Sequence, residues 1–110
     1  MQVFEGDSLV AEFLVSTGKK GRQTALGEHK ILTKHPRALF AEGGFWMTYW
    51  HGFHRIGKMM NGFHALPTAS YEKFLGQPAS HGCVRVSRKA GEWLWYWTDV
   101  GISFIIRSKP

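Results

Sequence analysis

The stretch Ser80-His81-Gly82-Cys83-Val84-Arg85 carries the chain's single cysteine, with a histidine two residues before it and an arginine two residues after. A thiol of ordinary pKa, about 8.5, is only a few per cent ionised near neutrality, so a cysteine meant for attack needs a basic or cationic neighbour. On an extended backbone alternate side chains share a face, which sets His81 on the side of Cys83. Gly82 between them leaves the peptide unshielded, so that successive N–H groups can be aimed at one point, as an oxyanion hole requires. A second histidine, His64, lies upstream in Gly62-Phe63-His64-Ala65-Leu66-Pro67, with fifteen residues between it and Ser80. Cys83 and His64 read as nucleophile and base, the base taking the thiol proton and later passing a proton to a leaving amine.

A histidine, fifteen residues, then Ser-His-Gly-Cys, a hydrophobic residue and Arg: this pattern resembles the active-site signature of the L,D-transpeptidase (YkuD-type) catalytic domain family. The likeness extends along the chain. Val15-Ser16-Thr17-Gly18-Lys19 and Thr24-Ala25-Leu26-Gly27-Glu28 resemble its Ser-Thr-Gly and Thr-Pro-x-Gly turns, and Ala90 to Gly101 followed by Ile102-Ser103-Phe104-Ile105-Ile106 resembles its closing helix and last strand. Ala25 stands where the family usually has proline, and Ala65 where several members carry Gly or Ser. Arg85 is a common variant at a position that the strict motif gives to Asn.

The resemblance implies a mainly β fold, an L,D-transpeptidase-like β-sandwich or barrel with one or two short helices, as a single catalytic domain over residues 1–110. It implies a cysteine L,D-transpeptidase acting on peptidoglycan stem peptides. Cys83 would attack the carbonyl of the L-configured third residue of a tetrapeptide stem, the terminal D-alanine would leave, and an amine from a neighbouring stem would resolve the thioester. Cys83, His64, His81 and Gly82 are then the catalytic residues, with Arg85 and Ser80 on the substrate side and a backbone carbonyl orienting His64. No metal or organic cofactor is implied. Carbapenem β-lactams are the expected covalent inhibitors and the cell envelope the expected location.

The residues leave other readings open. The same fold with water as acceptor is a cysteine L,D-carboxypeptidase or endopeptidase, and a vestigial Cys83 would leave a non-catalytic wall-binding module. His81 reads as structural or electrostatic rather than as a second base, and Ser80 serves equally well as a turn serine. Arg85 offers a planar fork of donors that suits a carboxylate or a carbonyl-rich backbone. His51, in Trp50-His51-Gly52, competes with His64 for the base, but twenty-eight residues separate it from Ser80, too many for the motif. His51, His54, His64, His81 and Cys83 supply enough donors for zinc, yet the His51-x-x-His54 pair needs a helix and has Gly52 inside it. Met47, Tyr49, Trp46 and Trp50 are either groove lining or core.

A chain of 110 residues is one domain by size, and a lone cysteine makes no internal bridge. The 44% hydrophobic fraction, with five Trp and eight Phe, is ample for a packed core and excludes disorder. A net charge of +6 points to an anionic partner. The choices are nucleic acid, acidic lipid or an anionic polymer such as peptidoglycan; the lysines and arginines are scattered without a basic stripe or zinc-finger spacing, which argues against nucleic acid and does not decide between the others. No apolar run approaches the ~20 residues of a membrane span, and Met1 to Gly6 does not read as a signal peptide. The chain reads as starting on its first strand, as a mature form or an excised domain of an exported protein would.

Glycines and polar clusters punctuate short aromatic and β-branched segments, a mostly β pattern. Strands are predicted at Gln2 to Phe4, Val10 to Ser16, Glu28 to Lys34, Phe45 to Tyr49, Phe63 to Ala65, Val84 to Val86 and Ile102 to Arg107. The imperfect alternation in Val10 to Val15 reads as a strand covered on both faces. A helix is predicted from about Arg88 to Thr98, capped by Ser87, with Ala90, Trp93, Leu94 and Trp97 as its apolar stripe. A second short helix is predicted over Ser70 to Leu75.

Overall fold

Trp50 lies across two strand glycines, and this packing builds the central hairpin. A Cβ added to Gly62 would sit 2.9 Å from the indole carbons of Trp50, and one added to Gly52 would sit 3.0 Å from its Nε1. The glycines that read as breaks in the sequence are therefore seats for a large ring, and the strands run on through them. The computed structural model describes residues 1–18, 20–21, 24–40, 45–65, 75–77, 80 and 82–106, with only the backbone at 40 and 45.

The elements in order are β1 (Gln2–Glu5), β2 (Ser8–Glu12), β3 (Gly27–Lys30), β4 (Thr33–Phe40), β5 (Phe45–Ile56), β6 (Met59–Ala65), β7 (Val84–Val86), α1 (Arg88–Trp97) and β8 (Ser103–Ile106). They form a four-stranded sheet of order β4-β5-β6-β7 and two ribbons, β1-β2 and β3-β8. β5 and β6 are far longer than the sequence predicts. They meet at a two-residue turn that opens with Gly57 at φ 60°, the position a tight hairpin gives to glycine.

Two expectations are corrected. The predicted Glu28 to Lys34 strand is two strands in two sheets. The switch is at Ile31 and Leu32, where the Ile31 N–H donates to Ile102 (3.0 Å) and the Leu32 N–H to Gly52 (2.7 Å). The predicted Val10 to Ser16 strand ends at Glu12 and is not covered on both faces, since Val10 and Leu14 are exposed. One face alone is covered, with Ala11, Phe13 and Val15 packed against the core. The mainly β fold is as expected, with sheets that stay open. Ser70 to Leu75 lies outside the described residues except for Leu75, which sits in a turn.

The core gathers Val3, Ile31, Phe53, Phe63, Val84, Val86, Ala90 and Leu94. α1 begins where predicted, with Ser87 Oγ accepting from the Ala90 N–H at 3.0 Å. It buries Ala90 and Leu94, and sets Trp93 edge-on to Phe13 with centroids 5.6 Å apart. Gly91 brings the helix close to β6, for a Cβ there would lie 3.0 Å from the Ala65 Cβ. At the other end Lys34 Nζ donates to the carbonyls of Trp95 and Thr98, each at 2.6 Å, placing a cation at the negative end of the helix.

Candidate active site

β6 and β7 pair in parallel, with Phe63 opposite Val84, His64 opposite Arg85 and Ala65 opposite Val86. Alternation then sends Phe63, Ala65, Val84 and Val86 into the core, while His64 and Arg85 share the other face. Cys83 stands one residue before β7, level with the Gly62 end of β6. The pairing thus brings the predicted nucleophile and base to neighbouring strands, although eighteen residues separate them in sequence.

A bulge in β5 faces His64. Thr48 pairs with Ala65 and His51 with Phe63, so Tyr49 and Trp50 together oppose the single residue His64. Tyr49 takes φ 52°, the left-handed region, to make this possible. The extra residue re-aims its neighbours. Trp50 stacks on the His64 ring (5.9 Å, 26°), and His51 turns to the opposite face to stack on Phe63 (4.3 Å, 16°). His51 is fully buried, donates from Nδ1 to the Tyr49 carbonyl at 2.7 Å, and has no hydrogen-bond partner for Nε2 among the described residues. His54 packs instead against His29. The two histidines that raised a metal reading therefore have different surroundings, and among the described residues no three His, Cys, Asp or Glu side chains group as a metal site.

His64 is buried, and its Nδ1 donates to the Ala65 carbonyl at 2.7 Å. Nε2 is left as the unprotonated nitrogen. Burial lowers the imidazole pKa to about 4, with the charges of Arg85 and His51 adding to the fall and the Ala65 carbonyl opposing it. At Cys83 burial pushes the thiol up, against the Gly62 backbone and the Arg85 charge, which lower it. Both shifts favour the neutral forms, a thiol at Cys83 and an imidazole at His64.

The turn before Cys83 is held from several directions. The Ser80 hydroxyl donates to the Cys83 carbonyl and accepts from the Gly82 N–H at 3.2 Å, closing the turn on itself. Upstream, the Ser80 N–H donates to Thr17 at 2.9 Å; downstream, Ser16 and Arg85 exchange both backbone hydrogen bonds, at 2.9 and 2.7 Å. Thr24 Oγ1 donates to the Gly82 carbonyl (2.8 Å) and accepts from the Gly18 N–H (3.0 Å). The Ser-Thr-Gly turn and the Thr24 turn thus bracket the cysteine loop on both sides. Gly82 itself sits at φ 120°, where an L side chain is strained. His81 lies outside the described residues.

Ser80 is buried and its hydroxyl is engaged within the turn, while Arg85 is half-buried on the His64 face. Of the candidates for groove lining or core, Met47 and Trp50 are buried and Trp46 is exposed beneath the Arg37 guanidinium, 4.7 Å from its ring centroid. Sequence reasoning passed over Asn61. It is buried against Gly82, and its Oδ1 lies 4.0 Å from Cys83 Sγ. Its one sequence signal is a carboxamide inside the otherwise apolar run Met59-Met60-Asn61-Gly62-Phe63.

Open, mainly β sheets with one helix packed on them define the L,D-transpeptidase catalytic domain fold. The family model of the L,D-transpeptidase catalytic domain (YkuD) matches residues 1–106, and the chain belongs to that family. No curated protein matches it. Among solved structures the chain is similar to an L,D-transpeptidase (Yku) from Stackebrandtia nassauensis, at 26% identity and a TM-score of 0.80, over 97% of this chain and 49% of that one. It is also similar to an L,D-transpeptidase from Mycobacterium smegmatis (19% identity, TM-score 0.80, 97% and 53% covered). A third, an LD transpeptidase in complex with imipenem, shares 19% identity with a TM-score of 0.78, over 96% and 53% of the two chains. The chain spans about half the length of these relatives.

Proposed function

We propose that the chain is a cysteine L,D-transpeptidase of the cell envelope that acts on peptidoglycan stem peptides through a thioester, with Cys83 as nucleophile and His64 as base. The observation that carries this reading is the His64 Nδ1–H bond to the Ala65 carbonyl, which leaves Nε2 as a proton acceptor on the strand beside the thiol. Because thiol and imidazole are both neutral at rest, the proton moves from Sγ to Nε2 as sulfur attacks the stem carbonyl, rather than beforehand. The carbonyl oxygen becomes an oxyanion. Collapse breaks the C–N bond, the imidazolium gives its proton to the departing D-alanine amine, and a thioester stays on Cys83. An acceptor amine then attacks the thioester, a cross-link forms, and the thiol is restored. Arg85 supports the thiolate as it forms, and Ser80, Thr24 and the Ser16 to Gly18 turn hold the loop still.

Imipenem is the probe, given its complex with a structural relative. Intact mass after incubation should rise by one imipenem on the wild type, stay unchanged on Cys83→Ala, and rise much more slowly on His64→Ala. A folded wild type of unchanged mass would overturn the reading.

A further inference from the structure

The backbone donors available to the oxyanion are fewer than the motif predicts. The Gly82 N–H, one of the expected donors, points into the turn at Ser80 Oγ. Beside it stands a carboxamide, which is a hydrogen-bond donor of the kind an oxyanion hole uses.

We propose that the Asn61 side chain is a catalytic oxyanion donor, which accepts from the Cys83 thiol at rest and donates through Nδ2 to the anion once attack begins. This rests on the reading of Cys83 as nucleophile. The resting contact places Oδ1 at 4.0 Å from Sγ, the acceptor end facing the protonated sulfur. The other end is equally placed: a Cβ built on Gly82 would lie 3.0 Å from Oδ1 and 3.0 Å from Nδ2. The amide plane therefore lies side-on to Gly82, and a half-turn about Cβ–Cγ exchanges the two atoms without changing its packing there. Asn61 is buried and lies in β6, three residues before His64, so its backbone is fixed by the same ladder that fixes the base. The contact with Gly82 gives that glycine a second role besides its φ, because any side chain at 82 would push the carboxamide away from sulfur.

The test compares wild type, Asn61→Ala and Asn61→Asp in two reactions of the same sulfur, each followed by intact mass at neutral pH. Imipenem acylation passes through an oxyanion; alkylation by iodoacetamide does not. Asn61→Ala is expected to slow acylation by about 100-fold, the size of one oxyanion donor, while alkylation changes only a few-fold. Asn61→Asp keeps the shape but has no amide donor, and is expected to slow acylation at least as much. Equal losses in both reactions, or acylation at the wild-type rate, would overturn the assignment. Rapid iodoacetamide alkylation with no imipenem adduct on the wild type would overturn the acyl-transfer reading itself, and the role of Asn61 with it.

Discussion

The Nδ1 of His64 donates to the carbonyl of Ala65, the next residue in the chain, at 2.7 Å. As the proposed base, His64 is oriented by its neighbour's backbone, and among the described residues it pairs with no carboxylate. Trp50, stacked on the ring, offers a π-face to the imidazolium as it forms. His64→Gln keeps a polar group in place but removes the proton acceptor. Acylation of Cys83 is expected to fall by roughly 10²–10⁴-fold, while alkylation at high pH, where hydroxide ionises the thiol, persists. Stopped-flow acylation beside alkylation at pH 10 checks both.

The neutral resting pair sets a pH signature. With the thiol raised and the imidazole lowered, alkylation of Cys83 should climb with pH through and beyond the ordinary thiol range. A plateau already reached at pH 6 would reveal a preformed thiolate–imidazolium pair and overturn this expectation.

Stability should fall in acid. The buried rings of His51 and His64 each bind a proton only near pH 4, whereas the unfolded chain binds one near 6.5. Between those values the unfolded state holds more protons, so stability rises with pH across the window. It is complete above about 6.5 and is lost as pH falls to 4, by about 3 kcal/mol per ring at most. Urea midpoints between pH 7 and pH 4 measure it.

Gly82→Ala puts a Cβ at φ 120° and at 3.0 Å from the Asn61 amide. A cost of about 1–3 kcal/mol in stability is expected, with a larger loss in acylation than the stability change explains. Chemical denaturation together with acylation kinetics separates the two.

Thr24→Val removes the donor to the Gly82 carbonyl and the acceptor for the Gly18 N–H, leaving two backbone groups unmatched. A loss of about 1–3 kcal/mol is expected from each buried group left unpaired. A variant as stable as wild type would show that the Thr24 turn does not hold the loop.

The residues that read most plainly were those whose local chemistry agrees with their place in the fold. Ser87 caps α1, Ala90 and Leu94 face the core, and Val84 to Val86 is β7. The long hairpin was illegible because Gly52 and Gly62 look like breaks until the indole of Trp50 is seen filling the space above them. The switch at Ile31 was hidden because one continuous extended segment serves two sheets, a matter of partners rather than of propensity. At the candidate site, the spacing singled out Cys83 and His64 but said nothing of the bulge that parts Trp50 from His51. Nor did it reveal Asn61, whose neighbour Gly82 is twenty-one residues away in sequence.

β7 has three residues and pairs with β6 on one side, while among the described residues its other side is met by a single bridge from Ser16. So short a strand at a sheet margin opens at lower free energy than the β5-β6 hairpin behind it. Warming is then expected to dismantle the nucleophile loop while most of the sheet persists. Activity would vanish several degrees below the cooperative melt, and the amides of Val84 to Val86 would exchange with solvent ahead of those of β5.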